Sequence, residues 1–470
     1  MSINTELLVI GAGPGGYAAA FRAADLGKKV TIVEKEDELG GVCLNKGCIP
    51  SKTLLHFGNV IDEALELKNQ GITFTNPKID YKRIQVSKDK VIKKLNAGIK
   101  YLAKQRNVNI IKGEADFISN SSIKVNNDDN SEIISFEHCI IATGSRPRKL
   151  DGIEIDHKNI LDSTSALNLK EIPKSMLIIG GGYIGLEMGS IFSSMGTNIT
   201  IAEFMPTLLP MADQDLVNIL KKKLDNKFES ILMNTSVSEL KQNKNTITAT
   251  LNIDKEKNEK IKFDKVLVSV GRTPNTDKLS LGSMGIDTDK NGFIIVDEYQ
   301  RTSIPNIMAI GDVTGDPMLA HKAAHEGKVA AEVSCNIASA FEPNAIPAVI
   351  FTDPEIAWAG KTEKECIKQN IEYEKGEFPW QASGRATSIA RTEGKTKILF
   401  EPETRRVIGV GIVGVNAGDL IGEGVLAIEM GACSEDISLS IHPHPTLTET
   451  FANAAEVIEG TATDIFNPNN

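Results

Sequence analysis

No stretch of the 470 residues comes near the roughly 18 consecutive apolar positions that a membrane-crossing helix needs. The first strand-like run, residues 7–10, begins too early for a leader peptide to precede it, so the cytosol is the expected compartment. Positive charge is also short: 52 Lys and Arg against 62 Asp and Glu leave a formal net charge of −10, which offers no basic field to nucleic acid or anionic lipid. Any anionic cofactor must therefore be held by local geometry. Cysteine is sparse, with six in the chain and only Cys43 and Cys48 close together, unlike the dense disulfide framework of a secreted domain. There is no low-complexity segment. The length exceeds what one core supports, and 41% apolar with 24% charged residues is ordinary for folded protein, so several domains are expected.

What is present, first of all, is an internal repeat. Leu7-Leu8-Val9-Ile10-Gly11-Ala12-Gly13-Pro14-Gly15-Gly16 is echoed by Met176-Leu177-Ile178-Ile179-Gly180-Gly181-Gly182-Tyr183-Ile184-Gly185. Both copies continue as a helix pattern and then a second strand, 30–33 or 199–202, that ends on an acid, Glu34 or Glu203, at the same distance from the first glycine. A strand followed by Gly-x-Gly-x-x-Gly cradles a pyrophosphate, because the glycines allow a tight turn and close backbone approach while the helix start offers free N–H groups. A glycine-rich turn of any α/β protein explains one match. Two in one register, at Gly11, Gly13 and Gly16 and at Gly180, Gly182 and Gly185, imply two dinucleotide sites in which Glu34 and Glu203 each hydrogen-bond a ribose. Glu203 would repel a 2′-phosphate and Phe204-Met205-Pro206 supplies no arginine, so the second site should prefer NAD to NADP.

Around the repeat, a helical stretch at 88–104 leads to short strands within 108–125 and a buried strand at 139–142 ending at Thr143-Gly144. Residues 151–174 read as a connector. The second unit closes with a strand at 266–270 before Gly271, and another at 306–310 stops at Gly311-Asp312. From residue 346 onward, alternating strands and helical patterns at 417–430 and 447–458 read as an α+β domain. The expected architecture is α/β: two Rossmann-like dinucleotide-binding domains, 1–150 and 151–275, the first completed by a central segment at 276–345, plus an α+β C-terminal domain at 346–470.

Gly40-Gly41-Val42-Cys43-Leu44-Asn45-Lys46-Gly47-Cys48-Ile49-Pro50-Ser51-Lys52 puts two thiols five positions apart before a helical pattern. Such spacing can close a disulfide, and a cysteine at a helix start has a lowered pKa suited to thiol exchange. The rival reading, half a zinc site, lacks a second Cys or His pair at suitable spacing. Near the C-terminus His444 lies between two prolines with Glu449 five positions on, an imidazole suited to take a thiol proton and a carboxylate to orient it. On composition alone, a solvated polar loop explains it equally well.

Gly-Gly-x-Cys-x4-Cys-Ile-Pro-Ser-Lys after a dinucleotide fingerprint resembles the pyridine nucleotide-disulfide oxidoreductases, and the resemblance, through Ala142-Thr143-Gly144, Gly311-Asp312 and Glu187 in the second repeat, spans the chain. It implies FAD on the first unit and NAD on the second. Asp312 is then at the flavin ribityl, Ala115 and Ala320 lie along FAD with Thr143 and Gly144, and Lys52 and Glu187 form a pair beside the flavin. Tyr183 covers the nicotinamide pocket, or is simple packing, and Val237 and Gly271 complete the NAD site. Residues 441–449 look like the His-x-His-Pro-Thr-Leu-x-Glu signature of the dihydrolipoamide dehydrogenase branch. By that likeness His444 is the base, Glu449 its partner and His442 structural. It also implies a redox disulfide between Cys43 and Cys48, an obligate homodimer built by the C-terminal domain with the base supplied across it, and no metal.

The segments Pro317-Met318-Leu319-Ala320-His321-Lys322 and 351–358 look more like dihydrolipoamide dehydrogenase than glutathione reductase, and Phe378-Pro379-Trp380 with Gly384-Arg385-Ala386 points to the bacterial pyruvate-dehydrogenase type. The implied partners are the lipoyl-bearing acyltransferase of 2-oxoacid dehydrogenase complexes and the glycine cleavage carrier. The alternatives are an NADH-dependent reductase of another small disulfide, mercuric reductase (disfavoured because no cysteine follows Cys433), and a silent scaffold subunit (disfavoured by the retained Cys43, Cys48, Lys52, His444 and Glu449). Lys46 departs from the apolar residue commoner there: it either favours the thiolate of Cys43 or Cys48 or is a solvated surface lysine.

Overall fold

The computed structural model describes residues 3–127, 130–244, 246–254 and 257–466. Strand Ile3–Ile10 sits at the centre of the first sheet, between Val30–Glu34 and Ser131–Ile141, with Asn109–Lys112 beyond the former, all parallel. Leu7 and Val9 feed one core and Leu8 and Ile10 the other, all at most 3% exposed. Alternate side chains of a strand leave opposite faces, so this near-continuous apolar run reflects a sheet covered on both sides. Ser131–Ile141 is long enough to do two things. Its first half joins the antiparallel strands Ser122–Asn126 and Glu114–Ser119, and its second half pairs with Ile307–Ala309 from far along the chain.

The second sheet repeats the plan, in the order Ser230–Leu232, Asn198–Ala202, Ser175–Ile179, Lys265–Val268, Ile160–Leu161, all parallel. Its last strand corrects the reading of 151–174 as a mere connector. Ile160 and Leu161 pair with Val266 and Leu267, and Asp162 caps the short helix Ser163–Ala166 through Ser165 N at 2.7 Å. A two-residue strand carries too little periodicity to be seen in sequence. A polar antiparallel meander, Thr235–Gln242, Ile247–Ile253 and Lys257–Phe263, follows.

The third sheet is antiparallel, in the order Ala348–Ile350, Glu355–Gly360, Val407–Gly414, Lys395–Phe400, Glu374–Pro379, and is packed by helices Ala417–Met430 and Glu449–Glu459. It is tied to the second unit by a buried ion cluster. Lys397, 1% exposed, places its ammonium 2.6 Å from Glu363 and 2.8 Å from both Asp213 and Asp215. Asp213 also accepts the Glu363 and Lys364 amides at 3.0 and 3.1 Å, opening helix Glu363–Gln369. These three carboxylates, close enough together to suit a metal ion, surround the lysine's charge instead.

Candidate active site

The two glycine loops are built alike. At Gly11 (φ +101°) a Cβ would stand 2.4 Å from Ala142 O, and at Gly180 (φ +108°) 2.5 Å from Ser269 O, so neither position accepts a side chain. Gly16 and Gly185, each in the first turn of its helix, are pressed on the first glycine: a Cβ there would lie 1.9 Å from Gly11 O and 2.1 Å from Gly180 O. Gly13 and Gly182 are the open ones, with nothing nearer than 3.9 Å at the first and nothing within 4 Å at the second. That leaves each helix start a bare cradle where a diphosphate fits. The acids close the design. Glu34 accepts from Ala12 N (2.7 Å) and Glu36 N (2.9 Å), and Glu203 from Gly181 N (2.5 Å) and Met205 N (2.7 Å). Each carboxylate keeps lone pairs for a ribose hydroxyl. Gly185→Ala is expected to raise the KM for NAD by at least about tenfold while flavin content stays normal, checked by steady-state kinetics and the visible spectrum.

Between the units lies a cavity of about 1110 Å³, and its walls hold the FAD candidates Gly11, Gly13, Gly16, Glu34, Ala115, Thr143, Gly144, Asp312 and Ala320 together with Lys52. It reaches Cys43, Cys48, Tyr183 and Glu187. Val237 and Gly271 lie off this wall. Val237 belongs to the strand that starts where Thr235 N donates to Glu203 O (2.8 Å), and Gly271 (φ +110°) turns the chain and accepts from Arg148 N (2.9 Å). The sequence reading missed the residues that aim Asp312. Ser145 Oγ donates to its carboxylate, Arg272 Nε stands 3.7 Å away and binds Ser145 Oγ at 2.6 Å, and Glu326 takes the Gly311 amide at 2.7 Å with Lys322 at 2.8 Å.

Cys43 lies in the short helix Gly41–Lys46 and Cys48 opens helix Cys48–Glu66, both as free thiols. They hydrogen-bond each other. The proton donated by Cys43 holds the Cys48 thiol below its ordinary value, against burial and with help from the Lys52 charge. The same bond, followed by burial, pushes Cys43 up. The pair is thus polarised, with Cys48 the more acidic thiol. Helix Cys48–Glu66 packs on helix Tyr183–Ser194 of the second unit, where Ser194 Oγ donates to Asp62 at 2.7 Å and Lys227 reaches the same carboxylate at 2.5 Å. This crossing joins Lys52 to Glu187, at 3.0 and 2.8 Å to the two carboxylate oxygens. The third unit seals the pair: Phe351 N donates to Glu187 at 3.1 Å and the Phe351 ring lies 4.6 Å from the Lys52 ammonium. Lys46 turns the other way, to Glu36 at 2.8 Å, so the cation beside the thiols is Lys52.

His444 Nδ1 and Glu449 Oε1 are 2.8 Å apart, and Thr446 N holds the other carboxylate oxygen at 2.7 Å. Yet this pair is not in the cavity of its own chain; the His444 side chain is 77% exposed. Close to it in the chain, Leu439 and Ile441 are 73% and 100% exposed. His442 is instead tied down, between Glu423 Oε1 (2.7 Å) and Ser440 O (2.8 Å).

Residues 5–327 match the family model described as pyridine nucleotide-disulphide oxidoreductase, and residues 346–455 match that family's dimerisation domain. Dihydrolipoyl dehydrogenases from Vibrio parahaemolyticus and Geobacillus stearothermophilus are each 46% identical, the first over 99% of this chain and 98% of the relative, the second over 98% and 97%. Among solved structures, the Cu(II) complex of the HOCl-induced flavoprotein disulfide reductase RclA from Escherichia coli superposes with a TM-score of 0.86 at 26% identity over 97% of this chain and 99% of that one. LpdA from Mycobacterium tuberculosis, at 24% identity and covering 97% and 99%, shares the fold with a TM-score of 0.90. Two glycine cradles of one design, a polarised thiol pair between them and a matching dimerisation domain agree with these likenesses, and the chain belongs to the pyridine nucleotide-disulphide oxidoreductases, flavoproteins that use FAD and NAD.

Proposed function

We propose that this chain is a dihydrolipoyl dehydrogenase, a cytoplasmic homodimer that oxidises dihydrolipoamide carried by the acyltransferase of 2-oxoacid dehydrogenase complexes or by the glycine cleavage carrier, with NAD as acceptor. The observation that carries this reading is the His444–Glu449 pair, 2.8 Å apart and exposed, off the wall of the cavity that holds the dithiol of its own chain. His444 of one protomer serves the thiols of the other.

In the oxidised enzyme Cys43 and Cys48 form a disulfide. His444 takes a proton from one substrate thiol, and Glu449 steadies the imidazolium that results. The substrate thiolate attacks Cys43 Sγ, the Cys43–Cys48 bond breaks, and Cys48 leaves as a thiolate favoured by Lys52. The second substrate thiol then attacks the mixed disulfide, closing the lipoamide ring and returning Cys43 as a thiol. FAD, when bound, would supply the two-electron relay between the dithiol and NAD. Gly11, Gly13, Gly16 and Glu34 would hold the adenosine diphosphate end of FAD, Asp312 its ribityl chain, and Ala115, Thr143, Gly144 and Ala320 the walls along it. Gly180, Gly182, Gly185 and Glu203 would hold NAD, with Tyr183, Val237 and Gly271 around it. Lys52 and Glu187 keep an ion pair beside the dithiol.

Anaerobic titration of the purified yellow protein with dihydrolipoamide, followed by NAD or NADP, tests the reading. A long-wavelength thiolate band that NAD alone discharges as NADH is the expected result. A spectrum untouched by dihydrolipoamide but bleached by NADH would mean that the substrate is another disulfide.

A further inference from the structure

The buried side of the His444 loop is held by a chain of hydroxyls that the reaction itself does not use. Trp380, 0% exposed, donates its indole N–H to Thr396 Oγ1 at 3.0 Å. Thr396 Oγ1 and Thr450 Oγ1 are 2.8 Å apart, and Thr450 Oγ1 donates to Leu447 O at 2.7 Å. Thr396 and Thr450 are 0% and 1% exposed, so no water completes their bonding. The direction of the chain follows from chemistry. An indole N–H only donates and a carbonyl only accepts, so the single arrangement that uses every proton runs from Trp380 to Thr396, to Thr450, to Leu447 O.

That last acceptor matters because of where it sits. Leu447 lies between His444 and Glu449, and its carbonyl also takes the Thr450 amide at 3.2 Å, opening helix Glu449–Glu459. On the outer side the loop is tied by Thr446 Oγ1 to Pro443 O at 2.7 Å and by Thr446 N to Glu449 at 2.7 Å. The outer bonds alone would let the loop move as a unit on the surface. The inner chain joins it to Thr396 on strand Lys395–Phe400, which is flanked on both sides by neighbouring strands.

We propose that Thr450 and Thr396, oriented by Trp380, are positioning residues for the general base: their one-way hydroxyl chain sets the height and direction of the His444–Glu449 pair toward the partner subunit's thiols. The inference rests on the reading of His444 as the base. Neither threonine touches substrate, and both act through the Leu447 carbonyl.

The test uses the flavin-loaded homodimer with Thr450→Val, Thr396→Val and Thr450→Ser, beside His444→Gln as reference. Thr450→Val and Thr396→Val are expected to lower kcat for dihydrolipoamide oxidation by about tenfold or more at unchanged KM, as small misplacements of a reacting group do. NADH-driven ferricyanide reduction, which needs no thiol proton transfer, stays at the wild-type rate and certifies the fold. Thr450→Ser, which keeps the hydroxyl, restores kcat. Wild-type kcat in both valine variants, with His444→Gln impaired, overturns the positioning role and leaves the base assignment standing. Full activity in His444→Gln overturns both. A parallel loss of ferricyanide activity, with no rescue by serine, reduces the chain to ordinary core packing and also overturns the proposal.

Discussion

Replacing His444 by glutamine is expected to lower kcat for dihydrolipoamide oxidation by roughly 10²–10⁴-fold, the range a well-placed general base supplies. Glutamine keeps the size and a hydrogen-bond partner for Glu449 but cannot accept and carry a proton. The flavin spectrum and NADH-driven ferricyanide reduction should not change, since neither calls on the imidazole. The geometry adds a sharper expectation. His444 is 77% exposed and off the cavity wall that carries its own dithiol, so the defect is expected in the neighbour's site. Mixing His444→Gln chains with Cys48→Ser chains therefore yields heterodimers with one complete site, built from the intact thiols of the first and the intact histidine of the second. Activity should return on subunit exchange, measured by steady-state assay of the mixture. A mixture as inactive as its two parents would place the base and thiols in one chain and sink the composite site.

Lys397→Met is expected to cost roughly 3–5 kcal/mol of stability, because removing one partner of a buried ion cluster leaves the others charged and uncompensated. The lysine is 1% exposed and serves Asp213, Asp215 and Glu363 at once. Burial opposes the charged forms of Asp215 and Glu363, yet the hydrogen bonds and charge of Lys397 hold both carboxyls below their ordinary range. Groups depressed in the folded state stabilise it above their unfolded value, about 4, and lose that contribution as pH falls through the lower folded value. Burial likewise works against the Lys397 ammonium, and its three partners outweigh it, so its own contribution persists until pH rises past the ordinary lysine value. The gap between wild type and Lys397→Met should thus be widest from neutral to mildly alkaline pH and narrow below about pH 4. Urea midpoints measured across that range check it, and a constant gap would show that the carboxylates do not depend on this lysine.

Legibility in the sequence followed the range of the interactions. The glycine loops could be read because their constraint is local: a positive φ at Gly11 and Gly180, and a helix start one turn later, need no knowledge of the rest of the chain. Strand 7–10 was equally plain, since both its faces are buried and every position is apolar. The edge strand Ile160–Leu161 was not, since its assignment depends on pairing with Val266 and Leu267 about a hundred positions away. Long separation in the chain likewise hid Ser145 behind Asp312, and Asp213 and Asp215 behind Lys397. The charge of Lys46, visible between the cysteines, proved to belong to Glu36, because the turn of helix Gly41–Lys46 carries its ammonium to a carboxylate that spacing alone does not reveal.

By itself the sequence determined the two dinucleotide cradles, the thiol pair and the histidine signature, since each is a short run whose backbone geometry and chemistry are set by its own residues. Only the tertiary structure decided how they act on one another. Lys52 meets Glu187 because one helix crosses another between units, the Cys48 thiol is held below its ordinary value because Cys43 donates to it and Lys52 lies nearby, and His444 faces outward because the third sheet holds its loop there. The first and last of these depend on packing between segments distant in the chain, and no local pattern carries them.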